Sequence, residues 1–399
     1  MSPRSSRRAL LGSLGASLTM LAGCTSSPDD PPPAGVDSIP EPDDHIYGAD
    51  GEWGSFGSDR SHTRQVSDGK APVDGVTEKW RVEVPQLTRR LEPLVANDVV
   101  YHVYDRSLHA LDAADGSVRW RLPDVDKLPL VTDGTAYVPV ENRLLAVDPQ
   151  TGDQFWEREL PEHGHVGTPV VDPDGRLFVP EGETLFALDR ETGETAWSRR
   201  LFGPIVGPPV LVDGWFVAVV TEARKLFLLE PDGTGAGEWT FPARPQSPPT
   251  ADTDGIYCNF VDGMTRGIRT ESSPRGDVDW QAETGWNNGG LAVKRNLYAA
   301  GTRGLAAIDP ETGSEKWTYE TGNWRHTAPV LARDTLFVGG DKLYALDPTP
   351  SGGVLDDGPA TRWTKSFHGE VGPGPVIDDG VIYTVAETGE ETYHLLALS

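Results

Sequence analysis

Tryptophan recurs along most of this chain at an interval of about 40 residues. The recurring residues are Trp80, Trp120, Trp156, Trp197, Trp239, Trp280, Trp317 and Trp363. Each of them follows a phrase of short apolar runs separated by turn residues. Repeats of this length are typical of β-propeller blades or of helical repeats. Because no interior segment has apolar residues at helical spacing, the pattern predicts an all-β fold built of blades.

The unit that ends near Trp197 shows the pattern of one blade. Four short runs, separated by turns rich in Asp, Glu and Gly, predict four antiparallel strands. The last turn, Asp189 to Gly193, suits a hairpin whose glycine adopts a positive φ. Trp197 then falls on the outermost strand. A tryptophan buries about 150–250 Å², so we expect the eight rings to hold neighbouring blades together.

The two ends of the repeat region complete each other. Residues 378–398 supply three strands of a blade, and the chain then stops at Ser399. Residues 76–84, which include Trp80, supply a lone fourth strand. Pairing these halves closes an eight-bladed ring of seven whole blades and one shared blade. An open solenoid of the same units is the alternative, but it leaves the complementary halves unexplained.

The first 24 residues resemble an export signal. Ser6-Arg7-Arg8 precedes an apolar stretch from Ala9 to Leu21, which predicts a twin-arginine (Tat) signal. Leu21-Ala22-Gly23-Cys24 resembles the lipobox of exported lipoproteins, so we expect lipidation of Cys24. Simple cleavage near Cys24 without a lipid is the alternative.

The rest of the chain divides into three parts. Residues 25–52 are acidic and proline-rich, which predicts a disordered tether. We expect residues 53–75 to pack on the propeller and residues 76–399 to form it. Cys258 is the only cysteine besides Cys24, so the sequence predicts no disulfide framework and no metal site of the CxxC type.

The charge of the chain is strongly acidic. The formal net charge is −26, and without residues 1–23, which carry three arginines and no acids, it is −26 − 3 = −29. Only 8 of the 35 basic residues are lysines. An acid surplus with scarce lysine resembles that of haloarchaeal or otherwise salt-adapted proteins, because molar salt screens the self-repulsion. So acidic a body makes nucleic acid an improbable partner.

The repeat resembles a known family. The phrase A-x-D-x-x-T-G-x-x-x-W occurs at Ala146–Trp156, Ala187–Trp197 and Ala307–Trp317, and with Asp115 in place of threonine at Ala110–Trp120. Only Thr234-Gly235 remains of this phrase before Trp239. The phrase is similar to the tryptophan-docking repeat of PQQ-like (quinoprotein alcohol dehydrogenase-like) β-propellers, and the resemblance covers about residues 53–399.

Two branches of that family imply different functions. Catalytic members use PQQ with calcium, but the vicinal cysteine pair of the alcohol dehydrogenases is absent here. The other branch, which resembles the outer-membrane assembly lipoprotein BamB, is a lipidated ring that binds proteins through its loops. The length and lipobox of this chain are similar to those of that branch.

Candidate binding residues cluster in the connections that share one face of such a ring. These connections join the second strand to the third and each fourth strand to the next first strand. The candidates are Arg89, Arg90, His163, His165, Trp286, Asn287, Trp324, Arg325, His326 and His368. Function is expected on this face.

Each candidate also has a structural interpretation. His163 and His165 could bind a metal, but no third ligand lies nearby in sequence, so none is predicted. Trp286 and Trp324 could stack on a planar ligand or close the mouth of the funnel. The arginines Arg89, Arg90 and Arg325 could bind an anion or form surface ion pairs.

Together these features predict a binding or assembly module. We expect an exported lipoprotein on the outer face of the cytoplasmic membrane, monomeric, engaging protein partners or an oligomeric ligand through the loops. No cofactor is expected. The alternatives are a dehydrogenase that uses PQQ and calcium, and a structural surface protein without a discrete site.

Overall fold

The computed structural model describes residues 53–66, 70–87, 91–161, 164–269, 275–322, 326–350 and 358–399. Within these ranges the chain is all-β and contains no helix. The predicted Tat signal, Cys24 and the predicted tether lie outside them.

The described strands form eight sheets arranged as the blades of a propeller. Two strands precede the first whole blade: β1 (Gln65–Val66) and β2 (Glu78–Val84). Blade 1 contains β3 (Leu94–Ala96), β4 (Val99–Tyr104), β5 (Ser107–Asp112) and β6 (Val118–Pro123). Blade 2 contains β7 (Leu130–Thr132), β8 (Thr135–Val140), β9 (Arg143–Val147) and β10 (Gln154–Glu159). Blade 3 contains β11 (Val170–Val171), β12 (Arg176–Glu181), β13 (Thr184–Asp189) and β14 (Thr195–Arg200).

The next two blades differ by one added strand. Blade 4 contains β15 (Val210–Val212), β16 (Phe216–Thr221), β17 (Lys225–Leu229) and β18 (Gly235–Thr240). Blade 5 contains β19 (Thr250–Ala251), β20 (Gly255–Asn259), β21 (Met264–Arg269) and β23 (Trp280–Glu283). The short strand β22 (Arg275–Gly276) leaves blade 5 and pairs in parallel with the outer edge of blade 4.

The last three blades complete the ring. Blade 6 contains β24 (Ala292–Val293), β25 (Leu297–Gly301), β26 (Gly304–Ile308) and β27 (Glu315–Tyr319). Blade 7 contains β28 (Val330–Ala332), β29 (Thr335–Val338), β30 (Leu343–Pro350) and β31 (Pro359–Lys365). Blade 8 contains β32 (Val371–Asp378), β33 (Val381–Gly389) and β34 (Thr392–Leu398), with β2 as its outer strand.

Closure through the two chain ends is confirmed. Strand β2 pairs antiparallel with β34, so that Glu78 lies opposite Leu398 and Trp80 opposite Ala397. The backbone of Thr77 also exchanges hydrogen bonds of 2.7 and 2.8 Å with Ser399. The open solenoid is therefore excluded.

The repeat tryptophans connect each blade to the next. The indole Nε1 of Trp120, for example, donates 3.0 Å to the carbonyl of Pro149 in the third turn of blade 2. A Cβ built on Gly152 of that turn would lie 2.9 Å from the same indole, so only glycine leaves room for the ring. Four other indoles donate to a carbonyl in a turn of the next blade, those of Trp80, Trp156, Trp197 and Trp280. The indole of Trp363 donates to the carbonyl of Pro72, in the segment that leads into β2.

Blade 4 corrects one detail of the repeat. The sequence pattern aligned Thr234-Gly235 with the Thr-Gly turn of the other units. In the structure Gly233 has a φ of 86°, and a Cβ built on it would lie 3.0 Å from the indole of Trp197. The docking glycine therefore precedes the threonine, because the turn of blade 4 is built differently from its neighbours.

Candidate functional site

The centre of the ring is filled by residues 53–66, which we call the axial segment. Its backbone carbonyls accept hydrogen bonds of 2.7–3.0 Å from the innermost strands of six blades. The donor amides belong to Val95, Val131, Leu211, Ala251, Val293 and Leu331, in blades 1, 2, 4, 5, 6 and 7. Unpaired amides at strand edges are costly when buried. The axial segment therefore provides hydrogen-bond acceptors for inner-strand amides that would otherwise face a channel. The sequence predicted only that this part of the chain packs on the propeller.

A buried ion pair ties the axial segment to the ring. The Arg64 side chain is 0% exposed, and its Nη2 lies 2.6 Å from Oε2 of Glu92, whose side chain is 4% exposed. The other carboxylate oxygen of Glu92 accepts hydrogen bonds from the backbone of Gly57 at 3.1 Å and the indole of Trp53 at 3.4 Å. The guanidinium also lies 5.0 Å from the centre of the Trp53 ring. The Glu92 carboxylate thus binds both ends of the axial segment, at Trp53 and at Arg64.

Two further buried polar groups shape the bend of the axial segment. Asp59 accepts hydrogen bonds from the backbone of Ser61 and from the backbone and hydroxyl of Thr63. Burial nevertheless raises the pKa of Asp59, and those hydrogen bonds oppose the rise. Burial lowers the pKa of His62 to about 4, so its imidazole is neutral near pH 7, with Nδ1 2.8 Å from the carbonyl of Pro249.

A cavity of ≈ 780 Å³ opens on the face that carries the longer connections. We call this the loop face; the opposite face, with the first-to-second and third-to-fourth turns, is the turn face. Its wall is formed mainly by the loop-face connections that lie in the chain between strands β2 and β19, from blade 8 through blade 1 to the start of blade 5. Asn288 also lines it, from the connection between β23 and β24. Phe56 is the contribution of the axial segment to its wall. The volume is in the range of ligand pockets.

The wall of this cavity has two chemically different parts. Its charged residues, together with His165, all come from blade 1 and from the connections that flank blade 2, and we call that part the charged arc. They are Asp105, Arg106, Asp126, Lys127 and His165. From Gly167 round to Pro248 no lining residue is charged among those described, and we call this the uncharged arc.

Ion pairs join most of the charges of the charged arc to each other or to neighbours. Lys127 lies 3.1 Å from Asp126, and Nδ1 of His165 lies 3.7 Å from the same carboxylate. Arg106 lies 3.8 Å from Asp124. All these side chains are at least 39% exposed, so the pairs are weak and open to a partner.

Of the candidates predicted from sequence, the described structure places only His165 on the cavity wall. Trp286 and His326 form a T-shaped pair with ring centres 6.0 Å apart, and Nδ1 of His326 lies 2.8 Å from Oδ1 of Asn288. Trp286 therefore packs against a neighbouring connection of the loop face. Arg89, Arg90, His163, Trp324 and Arg325 lie outside the described residues.

Two other candidates have structural partners. Asn287 is 1% exposed; its side-chain amide donates to the carbonyls of Ala300 and Thr327, and its Oδ1 accepts from Gly289. It joins the connections before blades 6 and 7. His368 is half exposed and lies 3.6 Å from Glu387, away from the cavity. Both side chains therefore have a partner within the described part of the ring.

The sequence analysis missed the residues that organise the centre. Glu92 was a detectable signal, because it is a lone acid in the apolar phrase LEPLVA that leads into the inner strand of blade 1. Arg64 had no comparable signal, since its partner is 28 residues away in the chain. The uncharged arc was visible only as prolines and glycines in the predicted connections.

The described centre of the ring offers no cluster of acidic side chains for a calcium ion. Calcium needs several oxygen ligands converging on one point, and the described residues contain no group of three or more His, Cys, Asp or Glu side chains that could hold a metal ion. The central carboxylates Asp59 and Glu92 are already used by Thr63 and Arg64. The dehydrogenase interpretation is not favoured.

The blade number, the indole docking and the ring closure define an eight-bladed propeller of the quinoprotein dehydrogenase-like type. Sequence comparison then assigns the family. The profile described as outer membrane protein assembly factor BamB matches residues 73–167, 140–296 and 268–399, and the chain belongs to that family. No curated protein sequence matches the chain. Within the described residues, no helix is long and apolar enough to cross a bilayer.

Solved structures share the fold at low identity. BamB from Moraxella catarrhalis has a TM-score of 0.61 and 16% identity, covering 81% of this chain and 97% of that one. Quinohemoprotein alcohol dehydrogenase from Comamonas testosteroni has a TM-score of 0.66 and 13% identity, covering 88% and 81%. The computationally designed Ika8 protein has a TM-score of 0.60 and 11% identity, covering 80% and 99%. Likeness at these identities is a likeness of fold.

Proposed function

We propose that this protein is a binding module that holds protein partners at its loop face. The observation that carries the proposal is the cavity of ≈ 780 Å³ on that face, with a charged arc and an uncharged arc. Membership of a family described as an assembly factor supports a protein partner rather than a small substrate. The protein acts as a monomer, and the formal charge of −26 of the whole chain disfavours nucleic acid.

We further propose that the protein is exported by a Tat signal and anchored through a lipid on Cys24, at the outer face of the cytoplasmic membrane. The lipobox-like residues Leu21 to Cys24 and the acidic stretch 25–52 support this. The Cys24→Ser variant is expected to move from the membrane fraction to the soluble fraction and to lose incorporation of labelled fatty acid. Retention of both properties by the variant would refute the anchor.

Photo-crosslinking in cells tests the binding function. A photoreactive amino acid replaces Pro204 or Lys127 on the cavity wall, or Ala114, which is exposed on the turn face. We expect a discrete protein adduct from both cavity positions and none from Ala114. Adducts at all three positions, or at none, would instead favour a surface protein without a discrete site.

A further inference from the structure

The uncharged arc is unusual for this chain. Acidic residues outnumber basic ones by 61 to 35 in the sequence, yet the wall from Gly167 to Pro248 carries no charge among its described lining residues. Its side chains are mainly proline, isoleucine and valine, such as Pro204, Ile205 and Val206. An uncharged concave wall in a charged surface is the property expected of a recognition site for apolar groups.

The uncharged arc is also tightly packed. A Cβ built on Gly167 would lie 2.8 Å from Cγ of Pro180, and one built on Gly207 would lie 2.4 Å from Cγ of Pro248. Gly167 therefore packs directly on Pro180 of strand β12, and Gly207 packs on Pro248 of the next connection. Glycine and proline have almost no side-chain entropy to lose, so an apolar group can dock on this wall without the ordering cost that binding usually carries.

The apolar surface continues outward from the cavity. Phe202 lies two residues before Pro204 on the same connection and is 69% exposed. Its backbone carbonyl is held by the hydroxyl of Thr221 at 2.8 Å, which fixes the connection while the ring stays in solvent. A group bound on the uncharged arc can thus also cover Phe202.

We propose that the uncharged arc receives an apolar, uncharged loop of the protein partner, while polar groups beside that loop face the charged arc. The proposal rests on the binding function proposed above and specifies the chemistry of the partner. The charged arc carries two acids and two bases, so it does not favour a partner whose contacting groups all carry the same sign of charge. It favours a partner in which the polar groups beside the apolar loop include both signs. A second copy of this chain is the rival occupant.

Salt gives the proposal a distinctive signature. At molar ionic strength, charge pairs are screened over about 3 Å, whereas apolar contacts are strengthened by excluded salts such as sulfate. Binding through the uncharged arc therefore persists or tightens as sulfate is raised. Binding through the charged arc weakens under the same conditions.

A matched pair of isosteric substitutions tests the proposal. Gln246 lines the uncharged arc and Gln86 lines the cavity beside the charged arc. The full-length Gln246→Glu and Gln86→Glu variants are titrated with the partner recovered by crosslinking at Pro204, in molar potassium chloride. We expect Gln246→Glu to weaken the affinity by about tenfold or more, as at a buried interface centre, and Gln86→Glu to change it by less than about twofold. Circular dichroism of both variants checks the fold.

Mass mapping of the adduct identifies the occupant directly. The peptide crosslinked at Pro204 is expected to be an uncharged, apolar stretch of a different protein. A charged peptide, a peptide of this chain, or a stronger effect of Gln86→Glu than of Gln246→Glu would overturn the proposal while leaving a loop-face binding module intact. No adduct from any cavity position would contradict the binding function itself.

Discussion

The guanidinium of Arg64 lies 2.6 Å from the carboxylate of Glu92, and both side chains are buried inside the ring. This pair joins the axial segment to the connection that leads into blade 1. Removing one member of a buried pair leaves an uncompensated charge, which costs about 3–5 kcal/mol, whereas replacing both members by apolar residues is often nearly neutral.

We therefore expect Arg64→Met to lower the free energy of unfolding by about 3–5 kcal/mol and the double variant Arg64→Met/Glu92→Leu to recover most of it. Urea unfolding followed by tryptophan fluorescence in molar salt measures the change. The control is Lys70→Met, which breaks an ion pair with Asp379 whose side chains are 70% and 71% exposed; it is expected to cost less than about 1 kcal/mol. Equal effects of Arg64→Met and Lys70→Met would contradict the assignment.

The stabilising effect of the contact between a turn glycine and a docked tryptophan can be measured separately from the effect of the glycine's backbone conformation. Gly193 has a φ of 68°, and a Cβ there would lie 2.8 Å from the indole of Trp156; Gly134 has a φ of 74° and nothing within 4 Å. Alanine in the left-handed region costs about 1–2 kcal/mol. We expect Gly134→Ala to show only that cost and Gly193→Ala at least about 1 kcal/mol more. Thermal unfolding in molar salt compares them, and matching losses would rule out a role of the indole contact.

Stability should depend on pH through His102. This imidazole is 0% exposed, and neither ring nitrogen has a hydrogen-bond partner among the described residues. Burial, with a smaller effect of His109, lowers the pKa of His102 to about 3. The unfolded chain binds this proton below about pH 6.5, so the folded state loses stability as the pH falls from 6.5 towards 3.

The His102→Phe variant isolates that effect. Relative to the variant, the wild-type protein is expected to lose about 2 kcal/mol between pH 6.5 and pH 5. Urea unfolding at pH 5, 6.5 and 8 measures the difference, with pH 8 as the reference at which both proteins are neutral at this position. A difference that stays constant over the three pH values would show that His102 is not titrating as proposed.

Salt should stabilise the whole ring. The acid surplus of the chain repels itself at low ionic strength, and molar salt shortens the screening length to about 3 Å. We expect the midpoint of thermal unfolding to fall as the protein is dialysed from molar potassium chloride into dilute buffer. An unchanged midpoint would be incompatible with salt adaptation.

The ring could be predicted from sequence because its signals are local and repeated. A tryptophan recurs in every unit, an acidic turn with a glycine precedes it in four of them, and the contacts they make join consecutive blades. The missing half-blade at Ser399 and the spare strand around Trp80 then fixed the number of blades. Blade 4 deviated only where the spacing within its turn had changed.

The centre could not be predicted because its contacts are neither local nor repeated. The axial segment bonds to six inner strands spread over more than two hundred residues, and no periodic pattern records such pairings. His165 was found because an exposed histidine in a connection is a visible signal. Gln246 and Val206 were missed because neutral residues in a connection resemble ordinary turns.

The pairing of β2 with β34 has a consequence for how the molecule is made. Glu78 meets Leu398 across that ladder, so the ring closes only after strand β34 has been synthesised. Blades 1 to 7 can assemble as they are synthesised, but the eighth blade cannot form before β34 is available to pair with β2. Until β34 is made, the nascent chain therefore exposes the open flanks of its first and seventh blades, and truncation before β34 would leave that aggregation-prone state permanent.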